Sequence, residues 1–132
     1  MLMLSETQME QMRAHVRAAA PEEACGILAG QSGRVTRVIP VTNSLRSPLR
    51  YRMDAREQID ALFWLEDQGQ DLLGIYHSHP AGPQIPSPTD INEFAYPPAL
   101  TVIWYPDGDQ WRARAFAITD GTAREVEIYV DA

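Results

Sequence analysis

The chain has 132 residues, a hydrophobic fraction of 45% and a formal charge of −7 with a pI near 4.8. That length supports one core, as expected of a single domain spanning residues 1–132, and the composition excludes a disordered chain. The acidic balance repels phosphate backbones and argues against nucleic acid as a partner.

No apolar run reaches the roughly 18 residues that a membrane span needs. The opening segment MLMLSETQMEQMR lacks the basic and sustained apolar regions of a secretory signal. The expected location is therefore the cytoplasm, with no membrane partner. Cys25 is the only cysteine, which excludes a disulfide framework and a multi-cysteine zinc ribbon.

Residues 5–20 carry a helical pattern. Ser5 and Gln8 fit a capping box, Met9, Met12, Val16 and Ala19 or Ala20 form an apolar stripe, and Pro21 ends the run. His15 falls off that stripe and is expected in solvent. After Glu22 and Glu23, CGILAG predicts a buried strand that pairs with Arg34–Val41 through a turn at Ser32-Gly33. Residues 42–50 are a loop by composition, and Tyr51–Met53 is a candidate short strand. Arg46, Arg50 and Arg52 cluster there, either as a solvated loop or as a rim that steers a carboxylate-bearing partner.

Asp54 and Glu57 open a second helix, expected to turn Ile59, Leu62, Phe63 and Leu65 to the core before Gly69 stops it. Asp71–His79 is a strand that begins apolar and turns polar. Ser87-Pro88-Thr89-Asp90 starts a short third helix with proline at its first position. Leu100–Tyr105, Trp111–Thr119 and Arg124–Val130 predict three closing strands, the last a candidate pairing edge for a homodimer. The class is α/β (α+β), a mixed and mostly antiparallel sheet flanked by helices.

His77 and His79 lie two apart on a strand, so both imidazoles project to one face while Tyr76 and Ser78 take the other. Asp90 returns after a gap rich in Pro and Gly, long enough to bring a carboxylate over that face. Three protein ligands leave a fourth tetrahedral position open, the arrangement of a catalytic zinc. Taken singly, each part also has a plainer role. Paired strand histidines occur by chance, and Ser87 with Asp90 makes a good helix cap. Cys25 reads as a buried small residue. H-E-x-x-H, the zinc deaminase signature and G-x-S-x-G are all missing.

Glu23, three residues before Gly26, followed by His77, His79, Ser87 and Asp90 in the pattern H-x-H-x7-S-x-x-D, resembles the JAMM motif of the MPN (Mov34/PAD-1) domain family. The resemblance covers nearly the whole chain. P-E-E-x-C-G and H-S-H-P…P-S-x-x-D are most similar to small prokaryotic members. It implies an MPN-like, cytidine-deaminase-like fold and a zinc isopeptidase or peptidase holding one Zn2+ per chain. By that resemblance His77, His79 and Asp90 are the metal ligands and Glu23 is the general base for a zinc-bound water. Ser87 would stabilise the oxyanion.

The implied substrate is a ubiquitin-like or sulfur-carrier protein cut after its C-terminal Gly-Gly, its tail paired to a strand edge. The segments between Tyr51 and His77 and after Asp90 are short, which turns the expectation away from ubiquitin itself. Two alternatives stand beside this reading: a non-catalytic MPN scaffold that binds partner proteins, and a zinc hydrolase of another small peptide or aminoacyl amide.

Overall fold

The computed structural model describes residues 1–96 and 98–132. In chain order the elements are β1 (Leu2–Ser5), α1 (Glu6–Ala19), β2 (Cys25–Gln31), β3 (Arg34–Val41), α2 (Ala55–Asp67), β4 (Asp71–Ser78), α3 (Pro88–Asn92), β5 (Leu100–Asp107), β6 (Gln110–Thr119), β7 (Thr122–Val126) and β8 (Ile128–Asp131). The strands form one sheet in the order β7-β6-β5-β4-β2-β3-β1-β8. Pairing is antiparallel except between β4 and β5, β1 and β3, and β1 and β8. The mixed, mostly antiparallel sheet with flanking helices is the architecture expected from the sequence.

Local chemistry explains several boundaries. The Ser5 hydroxyl accepts from the Gln8 amide while the Gln8 side chain accepts from the Ser5 amide, a complete capping box that starts α1. Ser32 and Gly33 both have positive φ, 52° and 80°, which makes the two-residue turn between β2 and β3 match the strand twist. The Asp54 carboxylate accepts from the Glu57 amide and caps α2.

Each helix covers one face. Met12 and Val16 of α1 pack with Leu2, Leu4, Leu28, Tyr76, Val102 and Trp104. Ala61 and Leu65 of α2 pack with Cys25, Ile27, Ala29 and Ile75 on the opposite face. Gly26 lets the Tyr76 ring lie across β2, since a Cβ there would fall 2.2 Å from a ring carbon.

Four expectations need correction. Arg124–Val130 is not one strand. β7 and β8 lie at opposite ends of the sheet order, yet only Glu127 separates them. The sheet therefore curls until its ends meet around α1, and the Glu127 carbonyl accepts from the Leu2 amide at 2.9 Å. The apolar alternation of REVEIYV runs through the break without a signal. β1 itself is too short to announce a strand by alternation, although Leu2 and Leu4 are buried.

On α2, Ile59 and Phe63 are 49% and 66% exposed. Leu65 is buried and Leu62 half-buried as expected, but the core takes Ala61 in place of Ile59 and Phe63, with Gln58 half-buried beside it. The helix carries two apolar stripes and can bury only one. Glu57 accepting from the Thr42 amide and Gln58 donating to the Tyr96 hydroxyl hold the observed rotation. Tyr51–Met53 contributes a single bridge, Asn43 to Met53, and no strand.

His15 is half-buried, with Nδ1 2.7 Å from the Tyr76 hydroxyl, and burial lowers its pKa. It lies off the Met12–Val16 stripe as expected, but the curl of the sheet brings Tyr76 over it.

Two predictions follow from this packing. Phe63→Ser changes stability by less than about 0.5 kcal/mol, whereas Leu65→Ala costs about 2–5 kcal/mol, both read from denaturant midpoints. Because the folded state depresses the His15 pKa, its neutral ring contributes stability that is complete above 6.5 and is lost as pH falls below that value. Wild type therefore loses melting temperature relative to His15→Gln as the buffer is taken from pH 7 to 5.

Candidate metal centre

The β2–β4 pairing assembles the site. Cys25 faces His77 in antiparallel register, so the residues just before β2 run beside those just after β4. The Ala24 amide donates to the Ser78 hydroxyl at 2.8 Å and the Ser78 amide to the Ala24 carbonyl at 3.1 Å. Glu23 is thereby set opposite His79. The His79 amide donates to the Trp104 carbonyl of β5 at 2.8 Å, which extends the parallel ladder one residue past β4. Tyr76 and Ser78 point to the other face, as the strand period requires.

On the near face, ligand atoms of Glu23, His77 and His79 lie within 4.8 Å of one another, and all three residues are buried. Asp90 joins them from the first turn of α3. Its Oδ2 is 3.2 Å from His77 Nε2 and 3.0 Å from His79 Nε2, and the two Nε2 atoms are 3.2 Å apart. A tetrahedral ion with bonds of about 2.0–2.1 Å needs ligand atoms roughly 3.3–3.4 Å apart. The triangle of two nitrogens and one oxygen is within a few tenths of an ångström of that edge.

The hydrogen bonds strengthen the fit. The Pro83 carbonyl lies 2.8 Å from His79 Nδ1, and a carbonyl only accepts, so Nδ1 carries the proton. A neutral His79 then turns a bare Nε2 lone pair toward the Asp90 carboxylate. Two electron-rich atoms at 3.0 Å need a proton or a metal cation between them. The donor set fits a divalent metal.

Burial sets the charges. The His77 pKa is lowered by complete burial, the neutral form that coordination requires. Burial also lowers His79, but hydrogen bonds to Asp90 and Pro83 outweigh it and the net shift is upward. Burial would raise the Asp90 carboxyl, yet the hydrogen bonds from His77 and His79 hold it well below the usual carboxylate range. Glu23 is only 4% exposed, and burial pushes its pKa up to about 7, with His79 opposing and Asp90 adding to the shift. That value suits a group that must take and return a proton near neutrality.

Ser87 caps α3 and still has a proton to give. Its Oγ accepts from the Asp90 amide at 3.0 Å, which leaves the O–H free to donate. The Ser87 amide donates to Asp90 Oδ2 at 2.8 Å and fixes the carboxylate. Capping and positioning are thus one arrangement. Cys25 is fully buried, with its Sγ 3.5 Å from the Val41 carbonyl and its pKa pushed up to about 12 by burial, so the thiol is inert as a nucleophile.

Two supporting residues escaped the sequence reading. Tyr51 stacks on His77 with ring centroids 4.6 Å apart and planes 28° from parallel. Among the described residues His77 Nδ1 has no hydrogen-bond partner, so the stacked Tyr51 restrains the plane of this ring without fixing its tautomer. Asn43 is buried; its side chain donates to the Glu23 and Arg50 carbonyls and accepts from the Arg52 amide. Nothing in a linear pattern marks a tyrosine for stacking or an asparagine for bridging two loops.

The chain resembles known proteins along most of its length. A family model described as prokaryotic homologs of the JAB domain matches residues 5–117. The chain is 39% identical over 122 residues to the CysO-cysteine peptidase of Mycobacterium tuberculosis, covering 90% of this chain and 84% of that one. It is 43% identical over 123 residues to a probable TtuB-protein conjugate cleaving protease of Thermus thermophilus, covering 92% and 78%. A solution structure of a protein from Desulfitobacterium hafniense superposes with a TM-score of 0.87 at 36% identity, covering 99% and 93%.

The stacking of Tyr51 on His77 predicts unequal effects of two substitutions. Tyr51→Phe keeps the affinity for added Co2+ near that of wild type, while Tyr51→Ala weakens it about 10-fold or more. Competition with a chromophoric chelator measures both.

Proposed function

The chain belongs to the family of prokaryotic JAB-domain homologues and is a peptidase; on that premise we propose that it is a zinc-dependent metalloprotease. It hydrolyses the amide bond after the C-terminal Gly-Gly of a ubiquitin-like or sulfur-carrier protein, in the cytoplasm. The observation that carries this reading is the convergence of four buried or half-buried groups, Glu23, His77, His79 and Asp90, from three separate stretches of chain. The names of the two relatives, each describing cleavage at a carrier or conjugate, support the substrate class.

His77, His79 and Asp90 hold the metal in this reading. A zinc ion at that position supplies a Lewis acid and lowers the pKa of water toward about 7. The remaining work belongs to the protein. Glu23, with a pKa of about 7, takes a proton from the attacking water and returns it to the leaving amine. The Ser87 hydroxyl donates to the oxygen on which negative charge develops. His79 stays in one tautomer because Nδ1–H is committed to Pro83. Burial of Glu23 and His77 keeps bulk water from levelling these interactions.

Purified protein is expected to carry about one zinc per chain, with His77→Ala and Asp90→Asn losing the metal. Glu23→Gln keeps the metal and loses about 100-fold or more in kcat on a Gly-Gly-linked carrier conjugate. Metal analysis and turnover before and after chelation measure both. Full activity in metal-free wild type would overturn the proposal.

A further inference from the structure

Glu23 stands just outside the sheet. The ladders of β2 begin at Cys25, and the reciprocal bonds with Ser78 reach back only to Ala24. Among the described residues, no strand takes either backbone group of Glu23. Its N–H donates to the Ser47 carbonyl at 2.9 Å, and its carbonyl accepts from Asn43 Nδ2 at 3.0 Å. The candidate general base is thus held, along its main chain, by the loop that follows β3.

Asn43 is the centre of that loop. It is only 8% exposed, and its carboxamide uses its full bonding capacity. Nδ2 donates to the Glu23 carbonyl at 3.0 Å and to the Arg50 carbonyl at 3.1 Å. Oδ1 accepts from the Leu45 and Arg52 amides, both at 3.1 Å. These partners leave the group a single orientation, because carbonyls only accept and amides only donate. One side chain therefore closes the loop from Asn43 to Arg52 on itself and ties it to Glu23. An ionised aspartate there would lose both donors, and an alanine all four bonds.

We propose that Asn43 is a positioning residue, which pins the Glu23 carbonyl to the loop and so sets the place of the Glu23 carboxylate beside His77 and His79. The inference rests on the hydrolase reading given above, in which Glu23 is the base, and adds the residue through which that base is placed. Removing the carboxamide leaves four main-chain groups without their partner. An unpaired group in a buried setting is costly, so the backbone shifts to find water. A displaced Glu23 backbone carries its carboxylate along, and a misplacement of about 1 Å at a reacting group costs on the order of 100-fold in rate. His79 and Asp90 are fixed instead by Pro83, Trp104 and Ser87, none of which bonds to Asn43. The base moves while these ligands stay.

Zinc-saturated Asn43→Ala is expected to turn over the Gly-Gly-linked carrier conjugate with kcat lowered about 10-fold or more and KM within about 2-fold of wild type. In the Glu23→Gln background the same change lowers kcat by less than about 2-fold, because the carboxylate it serves is gone. A merely structural role lowers kcat by the same factor in both backgrounds. Metal-free protein supplies a readout independent of turnover. By amide hydrogen exchange, the Glu23 and Arg52 N–H groups are protected in wild type and exchange about 10-fold or more faster in Asn43→Ala, while Leu28 and Val102 in the central strands keep their rates. Melting curves accompany each variant, and Asn43→Ser, which leaves a small polar group in the gap, serves if the alanine variant does not fold.

Equal losses in the two backgrounds overturn the role of Asn43 and leave the hydrolase reading intact. So does a raised KM at unchanged kcat, or exchange at Glu23 that the substitution does not alter. Failure of zinc-loaded wild type to cleave the conjugate, or full activity in Glu23→Gln, overturns the hydrolase reading itself.

Discussion

The site depends on one strand register. Pairing Cys25 with His77 makes the start of β2 and the end of β4 neighbours, and a reciprocal pair of hydrogen bonds between Ala24 and Ser78 locks the alignment. A slip of one residue would turn Glu23 and both imidazoles to the α1 face. The register is protected from both sides. On one face Tyr76 fills the space that Gly26 leaves open, and on the other Cys25, Ile27 and Ile75 pack under α2. Core packing and site geometry are thus the same constraint.

Around that register each polar group serves two purposes. Ser87 ends the orphaned amides of α3 while fixing Asp90, and Asp90 answers the Ser87 amide while facing two imidazoles. His79 lies beyond the last residue of β4 but remains hydrogen-bonded to β5. The parallel β4–β5 pair requires a long crossover, and that crossover carries the loop, Ser87 and Asp90. Ligand-bearing loops at the carboxyl ends of strands follow from this connectivity.

Much of this was legible in the residues, for identifiable reasons. Ser5 with Gln8, Asp54 with Glu57, and Ser87 before Pro88 are caps whose chemistry is local, so a window of four residues suffices. His77, His79 and Asp90 were legible as a group from the strand period and the length of the returning loop, whereas Glu23 joined them only through the resemblance to the JAMM motif. The rotation of α2 was not, since Ile59 and Phe63 make as good a stripe as Ala61 and Leu65 until Gln58 meets Tyr96. The roles of Tyr51 and Asn43 also depend on partners far along the chain. The split between β7 and β8 depends on a pairing with β1 that no local pattern encodes.

That pairing bears on how the molecule is made. β1 meets β3 through a single residue pair, Met3 with Arg34, but matches β8 along all four of its positions. A ribosome delivers β1 before β8, so β1 waits for every element between them before its main partner exists. Contacts of such sequence separation are slow to form, because the loop they close is long. The central β2–β4 ladder needs no such wait. Synthesis therefore lets the ladder beneath the candidate site pair before β8 arrives to close the rim of the sheet against β1.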